Sequence, residues 1–275
     1  MSQDKFQATF WGVRGSHPVS KAEILEFGGN TSCIELEIAD QLIILDAGTG
    51  IINLGERLED KNDLMGHLFI SHVHWDHIQG FPFFKPGFNP QNSFVIYGRP
   101  GIKDFLMQQM ESPYFPVGLD EMQAKMEFEE VENKERIELP AGIKVEVFSH
   151  PHPDGAFSFR IEEDERSICY ITDVEARLNI EEIIDFVAGA DVIIYDSHFT
   201  DNEYLGENGE ISKSGWGHST WQEGVKIVQA AGGERLVLFH HAPWRDDKQL
   251  KEIEQAAQEV YSKTIMAQEG MVINL

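Results

Sequence analysis

Cysteine is almost missing from this chain of 275 residues: Cys33 and Cys169 are the only two, each inside an apolar, strand-like run. That leaves no disulfide framework and no Cys-rich metal site, and buried free thiols are the plain reading. Basic residues are scarce as well, 22 Lys and Arg against 47 Asp and Glu, for a formal net charge of −25. Nucleic-acid binding relies on Lys and Arg to neutralise phosphates, so this balance speaks against a long RNA or DNA partner. A small phosphorylated substrate stays compatible, because bound dications would invert the potential locally. Also missing are a basic N-terminal region followed by an apolar run, and any stretch near the roughly twenty apolar residues of a membrane span. The expectation is a cytoplasmic protein without a membrane partner.

What is present is ordinary for a globular chain, 41% hydrophobic and 25% charged. Single α/β domains often run to about 250 residues, so one domain over 1–275 is expected. Strand-like runs recur at 6–10, 32–38, 41–45, 68–71, 93–97, 143–148, 157–161, 168–172, 192–195 and 235–239. Helix-like periods fall at 51–59, 102–110, 180–188, 219–230 and 247–261, with apolar positions three and four apart. Ser219 or Thr220 reads as the N-cap of the fourth helix, which places His218 on the loop feeding it. Residues 81–135, rich in Phe, Pro and Met, read as an irregular insertion or lid.

The chemistry concentrates in His72-Val73-His74-Trp75-Asp76-His77, directly after the buried-strand run 67–71. Three imidazoles and a carboxylate so close together suit Zn²⁺, Mn²⁺ or iron better than a protein core. A solvated His-rich turn is the competing reading, and the scarcity of His over the first sixty residues weighs against it. His72 and His74, two apart, can point the same way, while Asp76 and His77 turn to a second position, so one segment can serve two metals. Further candidates stand at other strand ends: Asp46, His152 with neighbouring His150, Asp173, and His240 with His241. Each taken singly reads equally well as a hydrogen-bonded structural residue.

In this order the pattern H-x-H-x-D-H, lone His, lone Asp, last His resembles the metallo-β-lactamase fold superfamily over nearly the whole chain. The resemblance implies a four-layer αββα sandwich, an α/β fold, with two divalent ions between its sheets. Carried over, His72, His74 and His152 hold one ion, Asp76, His77 and His240 the other, Asp173 bridges them, and Asp46 supports the ligand loop from behind. His152 is preferred to His150 because the run to Phe159 matches the family's glycine-containing turn and aromatic, and His240 to His241 because it directly follows its strand. The second His of each pair keeps a supporting or substrate-contacting role. Zinc is the first choice of metal, with manganese or iron as alternatives. His74 also stands where oxygen-reducing relatives carry Glu, which makes redox chemistry the minority reading.

Asp196-Ser197-His198-Phe199-Thr200 and Gly215-Trp216-Gly217-His218-Ser219-Thr220 resemble motifs of the tRNA 3′-processing and cyclic-phosphodiesterase branch. There a carboxylate orienting a His suits protonation of a departing phosphate oxygen. Phe10 to Ser16 is similar to a bacterial subgroup of metallo-hydrolases, in which Arg14 reads either as a phosphate receptor or as a surface turn. Trp75, Phe81, Phe83, Phe84, Tyr114 and Phe115 offer faces on which a base can stack. The expected function is hydrolysis of a small phosphodiester such as 3′,5′-cAMP or cGMP by a hydroxide held between two dications, with Asp76, His218 and Asp196 as catalytic residues. RNA 3′-end processing, and lactamase or thioesterase chemistry on the same fold, are the alternatives. A non-catalytic metal sensor is a further one that every filled ligand position speaks against. Relatives in the resembled family are often homodimers, and a homodimer is expected.

Overall fold

Apolar alternation and continuous apolar runs decide the strands, and their burial follows the faces they must cover. The computed structural model describes residues 5–209 and 211–275. The first half of the chain supplies β1 (Phe6–Gly12), β2 (Cys33–Ile38), β3 (Gln41–Leu45), β4 (Met65–Phe69), β5 (Ser93–Gly98) and β6 (Lys125–Glu130). The second half supplies β7 (Arg136–Glu138), β8 (Lys144–His150), β9 (Ala156–Glu163), β10 (Arg166–Ile171), β11 (Val192–Asp196), β12 (Arg235–Phe239) and β13 (Thr264–Met266). A last strand, β14 (Val272–Asn274), returns to the first sheet and pairs with β1. Two sheets result, in the orders β14-β1-β2-β3-β4-β5-β6 and β13-β12-β11-β10-β9-β8-β7.

Each sheet is antiparallel at one end and parallel at the other. β3 to β6 run parallel in the first sheet, and β10 to β13 in the second. Parallel neighbours need crossovers, and helices provide them. In the first sheet α1 (Gly50–Leu58) joins β3 to β4, a single-turn α2 (Trp75–Ile78) follows β4, and α3 (Ile102–Gln109) follows β5. In the second, α4 (Ile180–Phe186) joins β10 to β11, α5 (Asp201–Leu205) and α6 (Trp221–Ala231) precede β12, and α7 (Asp247–Val260) precedes β13. Thr220 is the residue that caps α6, its hydroxyl accepting from Glu223 N.

The sheets face one another through Phe10, Leu36, Phe69, Phe159, Tyr170 and Phe239. Phe69 meets Phe159 across the interface at 5.3 Å and Phe10 meets Phe239 at 6.2 Å. Each such buried aromatic contributes about 1.5–3 kcal/mol. Outside them, Ile51 and Leu54 of α1 cover one sheet. Ile183, Val225 and Leu250 from α4, α6 and α7 cover the other. The four layers are those of the expected αββα sandwich. Among the described residues, no helix is long and apolar enough to cross a membrane.

The stretch 81–135 is not an excursion from this frame. It contributes β5 and β6 to the first sheet with α3 between them, and its irregular parts are the 3-10 turns Phe81–Phe83 and Lys85–Phe88 and the connection from 110 to 124. β6 escapes a hydrophobicity reading because it is an edge strand, Lys-Met-Glu-Phe-Glu-Glu, whose charges guard the open side of the sheet.

Most of the polar candidates sit at or just beyond the carboxyl ends of strands on one rim of the sandwich: Asp46 after β3, His72 to His77 after β4, His152 after β8, Asp173 after β10, Asp196 closing β11 and His240 after β12, whereas His218 is on the loop before α6. Close backbone packing holds this rim together. A Cβ on Gly48 would lie 2.2 Å from the carbonyl oxygen of Asp76 and 2.7 Å from the carbonyl carbon of Thr31. These are main-chain atoms that cannot swing aside. Gly48→Ala is therefore expected to cost about 1–3 kcal/mol by overpacking, seen as a lowered thermal midpoint. It should also lower metal content, because it pushes on the turn that carries Asp76; an unchanged midpoint would contradict this packing.

Candidate metal centre

Strand ends deliver the site. Asp46, Asp173 and His240 each leave their strand with φ of 61°, 52° and 59°, the left-handed region that Asp and His enter more readily than most residues. That kink turns each side chain from the strand direction into the cleft between the sheets. His74 precedes α2, and the helical turn swings Asp76 and His77 onto one side.

Three groups of donor atoms form among the described residues, each with its members within 4.8 Å of one another: His72, His74, His152 and Asp173; Asp76, His77, Asp173 and His240; and Asp196, His198, His218 and His240. Asp173 is shared by the first two, the metal groups. Its Oδ1 faces His72 Nε2 and His152 Nε2, each at 3.7 Å, and its Oδ2 faces His77 Nε2 at 3.0 Å and His240 Nε2 at 3.2 Å. His240 Nε2 also lies 3.2 Å from Asp76 Oδ2, while His152 Nε2 lies 3.1 Å from His74 Nδ1.

The donor set fits divalent metal. His72 Nε2 is buried without a hydrogen-bond partner, and His77 and His240 bring Nε2 atoms within 3.3 Å of one another. A cation at the centre of each group would satisfy these lone pairs, for imidazole and carboxylate suit zinc, manganese and iron alike. The outer nitrogens are already engaged, His77 Nδ1 with Asp46 Oδ2 at 2.7 Å and His152 Nδ1 with the Gly217 carbonyl at 2.9 Å. Such contacts fix the tautomer that leaves Nε2 free for a metal. Burial alone would raise the pKa of Asp173, but His240, His77 and His72 outweigh it and hold the carboxylate well below its usual range.

Asp46 is the hub behind this centre. Besides His77 it accepts from Ser71 N at 2.7 Å, Ser71 Oγ at 2.8 Å and Tyr170 OH at 2.7 Å. Because Tyr170 is on β10, one carboxylate ties the ligand loop of the first sheet to the second sheet. Asp76 is held in turn by Ser16 N, 2.6 Å from its Oδ2.

His218 stands beside the metal groups, its Nδ1 2.9 Å from Asp196 Oδ2 and 3.8 Å from Asp173 Oδ1. Burial disfavours its charged form, yet Asp196 more than compensates and lifts its pKa to about 9. Two participants had escaped the sequence reading. His198 stacks on His218 at 4.4 Å, with its Nδ1 on the His240 carbonyl and its backbone N–H on Asp196. Its place two residues after Asp196 was the available signal. Glu175 accepts from the backbone of Gly215 and Gly217 at 2.8 and 3.1 Å, fixing the loop that carries His218. Nothing in its surrounding sequence marks it.

Three expected supporting residues lie elsewhere. Arg14 is fully buried and not on a surface turn: its guanidinium donates to the carbonyls of Gly28, Ala242 and Arg245, clamping the first loop to the last. His241, after the sharp turn at His240, points the opposite way, towards the Ala267 carbonyl and Phe27, and joins neither metal group. His150 is sealed beside Phe148, and burial holds its pKa down at about 4. β8 ends at His150, and the turn that begins at Pro151 carries His152 into the site. Of the aromatics, Phe81 and Phe84 are core, whereas Trp75, Phe83 and Tyr114 are exposed.

A family model described as Beta-lactamase superfamily domain matches residues 42–241, which span every metal-group residue. Ribonuclease Z of Lactiplantibacillus plantarum is 22% identical over 87% of this chain and 90% of its own length. Among solved structures, the metallo-beta-lactamase fold protein YhfI from Bacillus subtilis superposes with a TM-score of 0.74 at 19% identity, covering 99% of this chain and all of the other. A diphosphatase from the PhnP family gives 0.74 at 16%, covering 98% of each chain. The short form of human tRNase Z gives 0.71 at 21%, covering 97% and 98%.

Removing the hub should loosen the centre without touching a donor to the metal. Asp46→Ala strips His77 Nδ1, Ser71 and Tyr170 OH of their acceptor, and a loss of about 10–100-fold in metal affinity is expected from comparable outer-shell changes. Competition against a chromophoric chelator measures it, and wild-type affinity in the variant would contradict the role given to Asp46.

Proposed function

This chain belongs to the beta-lactamase superfamily and is a metal-dependent hydrolase, and on that premise we propose that it hydrolyses a small cyclic nucleotide of the 3′,5′-cAMP or cGMP kind. The pair His218–Asp196, with its 2.9 Å contact beside the shared carboxylate Asp173, carries this reading. Lactamase and thioesterase chemistry gives such a pair no evident work, while a phosphodiester with an alkoxide leaving group needs a proton donor. Zinc is the first choice for the two ions and the active form is a homodimer.

When bound, two divalent ions would offset the charge of the phosphate and lower the pKa of a water at the site. His72, His74 and His152 would hold one, Asp76, His77 and His240 the other, with Asp173 between them. Asp76, pinned by Ser16 N, orients the attacking water in line with the departing oxygen. His218, kept protonated at neutral pH by Asp196, donates from Nε2 as the phosphorus–oxygen bond breaks. The attacking water loses a proton to solvent, the proton of His218 ends on the freed hydroxyl, and the imidazole is reprotonated from solvent, so that one water is consumed and the product is a nucleoside monophosphate. Glu175 keeps the loop of His218 in place through this exchange.

RNA 3′-end processing is the second reading, supported by the ribonuclease Z likeness over most of the chain. The net charge of −25 opposes it, since a long polyanion would meet repulsion over most of the surface. A side-by-side assay of metal-loaded protein on cAMP, cGMP, 2′,3′-cyclic nucleotides, dinucleotides and precursor tRNA decides between them. Cyclic nucleotides are expected to be turned over first, and preference for precursor tRNA would overturn the proposal.

The proton donor has its own test. His218→Ala should lower kcat on a cyclic nucleotide by about 10²–10⁴-fold, the usual worth of general-acid catalysis. On bis(p-nitrophenyl) phosphate, whose leaving group departs without a proton, the loss should be only several-fold. Equal losses on both substrates would remove His218 from that role.

A further inference from the structure

Arg99 is the first residue past β5, and the sheet sets it beside the metal loop. β4 and β5 are parallel neighbours with Phe69 opposite Tyr97, and Ile70 N donates to the Tyr97 carbonyl at 2.9 Å. The chain leaving β5 therefore runs next to the chain leaving β4, which carries His72 and His74. A cavity of about 240 Å³ opens between them, and its walls include His72, His74, Arg99, Phe105, Pro153 and Asp154. His72 and His74 belong to the first metal group, and Pro153 and Asp154 directly follow a third member, His152.

The guanidinium of Arg99 is held by neutral partners. Its Nη1 donates to the main-chain carbonyl of Asp154 at 3.0 Å, and it lies 5.6 Å from the centroid of the Phe105 ring. Other arginines meet carboxylates, Arg57 at Glu35, Arg136 at Glu146 and Arg245 at Glu203. Arg99 has no carboxylate within ion-pair distance among the described residues, in a chain where acids outnumber bases by 47 to 22.

We propose that Arg99 grips the substrate's phosphate, with a non-bridging oxygen in this cavity against the guanidinium while the phosphorus faces the metal groups. This deepens the phosphodiesterase reading and rests on it for the reaction. Charge decides the occupant. A guanidinium presents its N–H donors as a planar fork that matches two phosphate oxygens. The Asp154 carbonyl engages Nη1, while Nε and Nη2 meet no acceptor among the described residues. An anion in the cavity meets this fork on one side and the residues that would hold a cation, His72 and His74, on the other. A neutral or cationic ligand matches neither wall. Because the carbonyl and the Phe105 ring fix the guanidinium beforehand, little side-chain freedom is lost on binding.

The Asp154 contact also makes Arg99 a clip on the loop after His152, and the test separates the two roles. The full-length, zinc-loaded chain, freed of excess, is titrated with inorganic phosphate by calorimetry as wild type, Arg99→Gln and Arg99→Lys. Zinc content is measured on the same samples. Arg99 is only half-buried, so its replacement leaves the core intact. Arg99→Gln should weaken phosphate binding about 10–100-fold, the scale of a lost charge-assisted hydrogen bond, with zinc content unchanged. Arg99→Lys, which keeps the charge but not the fork, should fall between, and KM for 3′,5′-cAMP should rise in the same order. Equal phosphate affinity in all three, or affinity lost only together with zinc, would overturn the proposal. If no phosphodiester is hydrolysed but Arg99→Gln weakens phosphate binding with zinc retained, the proposed reaction fails and the anion site stands.

Discussion

A carboxylate taken fully out of water must be compensated, and Asp173 is compensated from two sides at once. One oxygen faces His72 and His152, the other His77 and His240, and the residue itself is 1% exposed. Burial of an unpaired anion in such a place would cost several kcal/mol. The arrangement is therefore stable only while cations or charged imidazoles surround it, and everything else on the rim serves to bring them there. His72 and His77 come from one sheet and His152 and His240 from the other, so the centre exists only when the two sheets are in register. Asp46 enforces that register through Tyr170, a hydrogen bond between residues 124 positions apart.

The frame explains why this place was available. Each sheet is half antiparallel and half parallel, and the parallel halves end on the same rim, where strand termini leave backbone groups unpaired and short polar turns can carry ligands. The cost is paid in backbone strain at Asp46, Asp173 and His240, three non-glycine residues in the left-handed region. The packing around Gly48 shows how little slack remains. Rigidity of this kind holds donor atoms in place before a metal arrives, and it gives His218 and Asp196 a fixed relation to the centre.

Much of this was legible in the sequence because most of the candidate metal donors occur at strand ends and the interior strands are apolar. The strands that escaped reading, β6, β7, β13 and β14, are the four edges of the two sheets. Three of them are three residues long and the fourth carries four charges, so none leaves a hydrophobic trace. Within the site, choosing His152 over His150 and His240 over His241 placed the side chains of one of each pair in the cleft. The end of β8 at His150 and the sharp turn at His240 keep His150 and His241 out of the cleft. The burial of Arg14 leaves no trace in one dimension, where a glycine-flanked arginine looks exposed, because three carbonyls from distant segments close over it. Glu175 had no local signature at all, since its partners, the hydroxyls of Tyr204 and Ser214 and the backbone of Gly215 and Gly217, lie 29 to 42 residues away.

The proposed pair of metal ions, with Asp173 common to both of their donor groups, is tested most directly by metal counting. Elemental analysis of the purified chain, reconstituted with zinc and freed of excess, should give two ions per chain, falling to about one in His240→Ala, which removes a donor from only one of the two groups that share Asp173. A wild-type chain that saturates at one ion, with His240→Ala unchanged, would contradict the account.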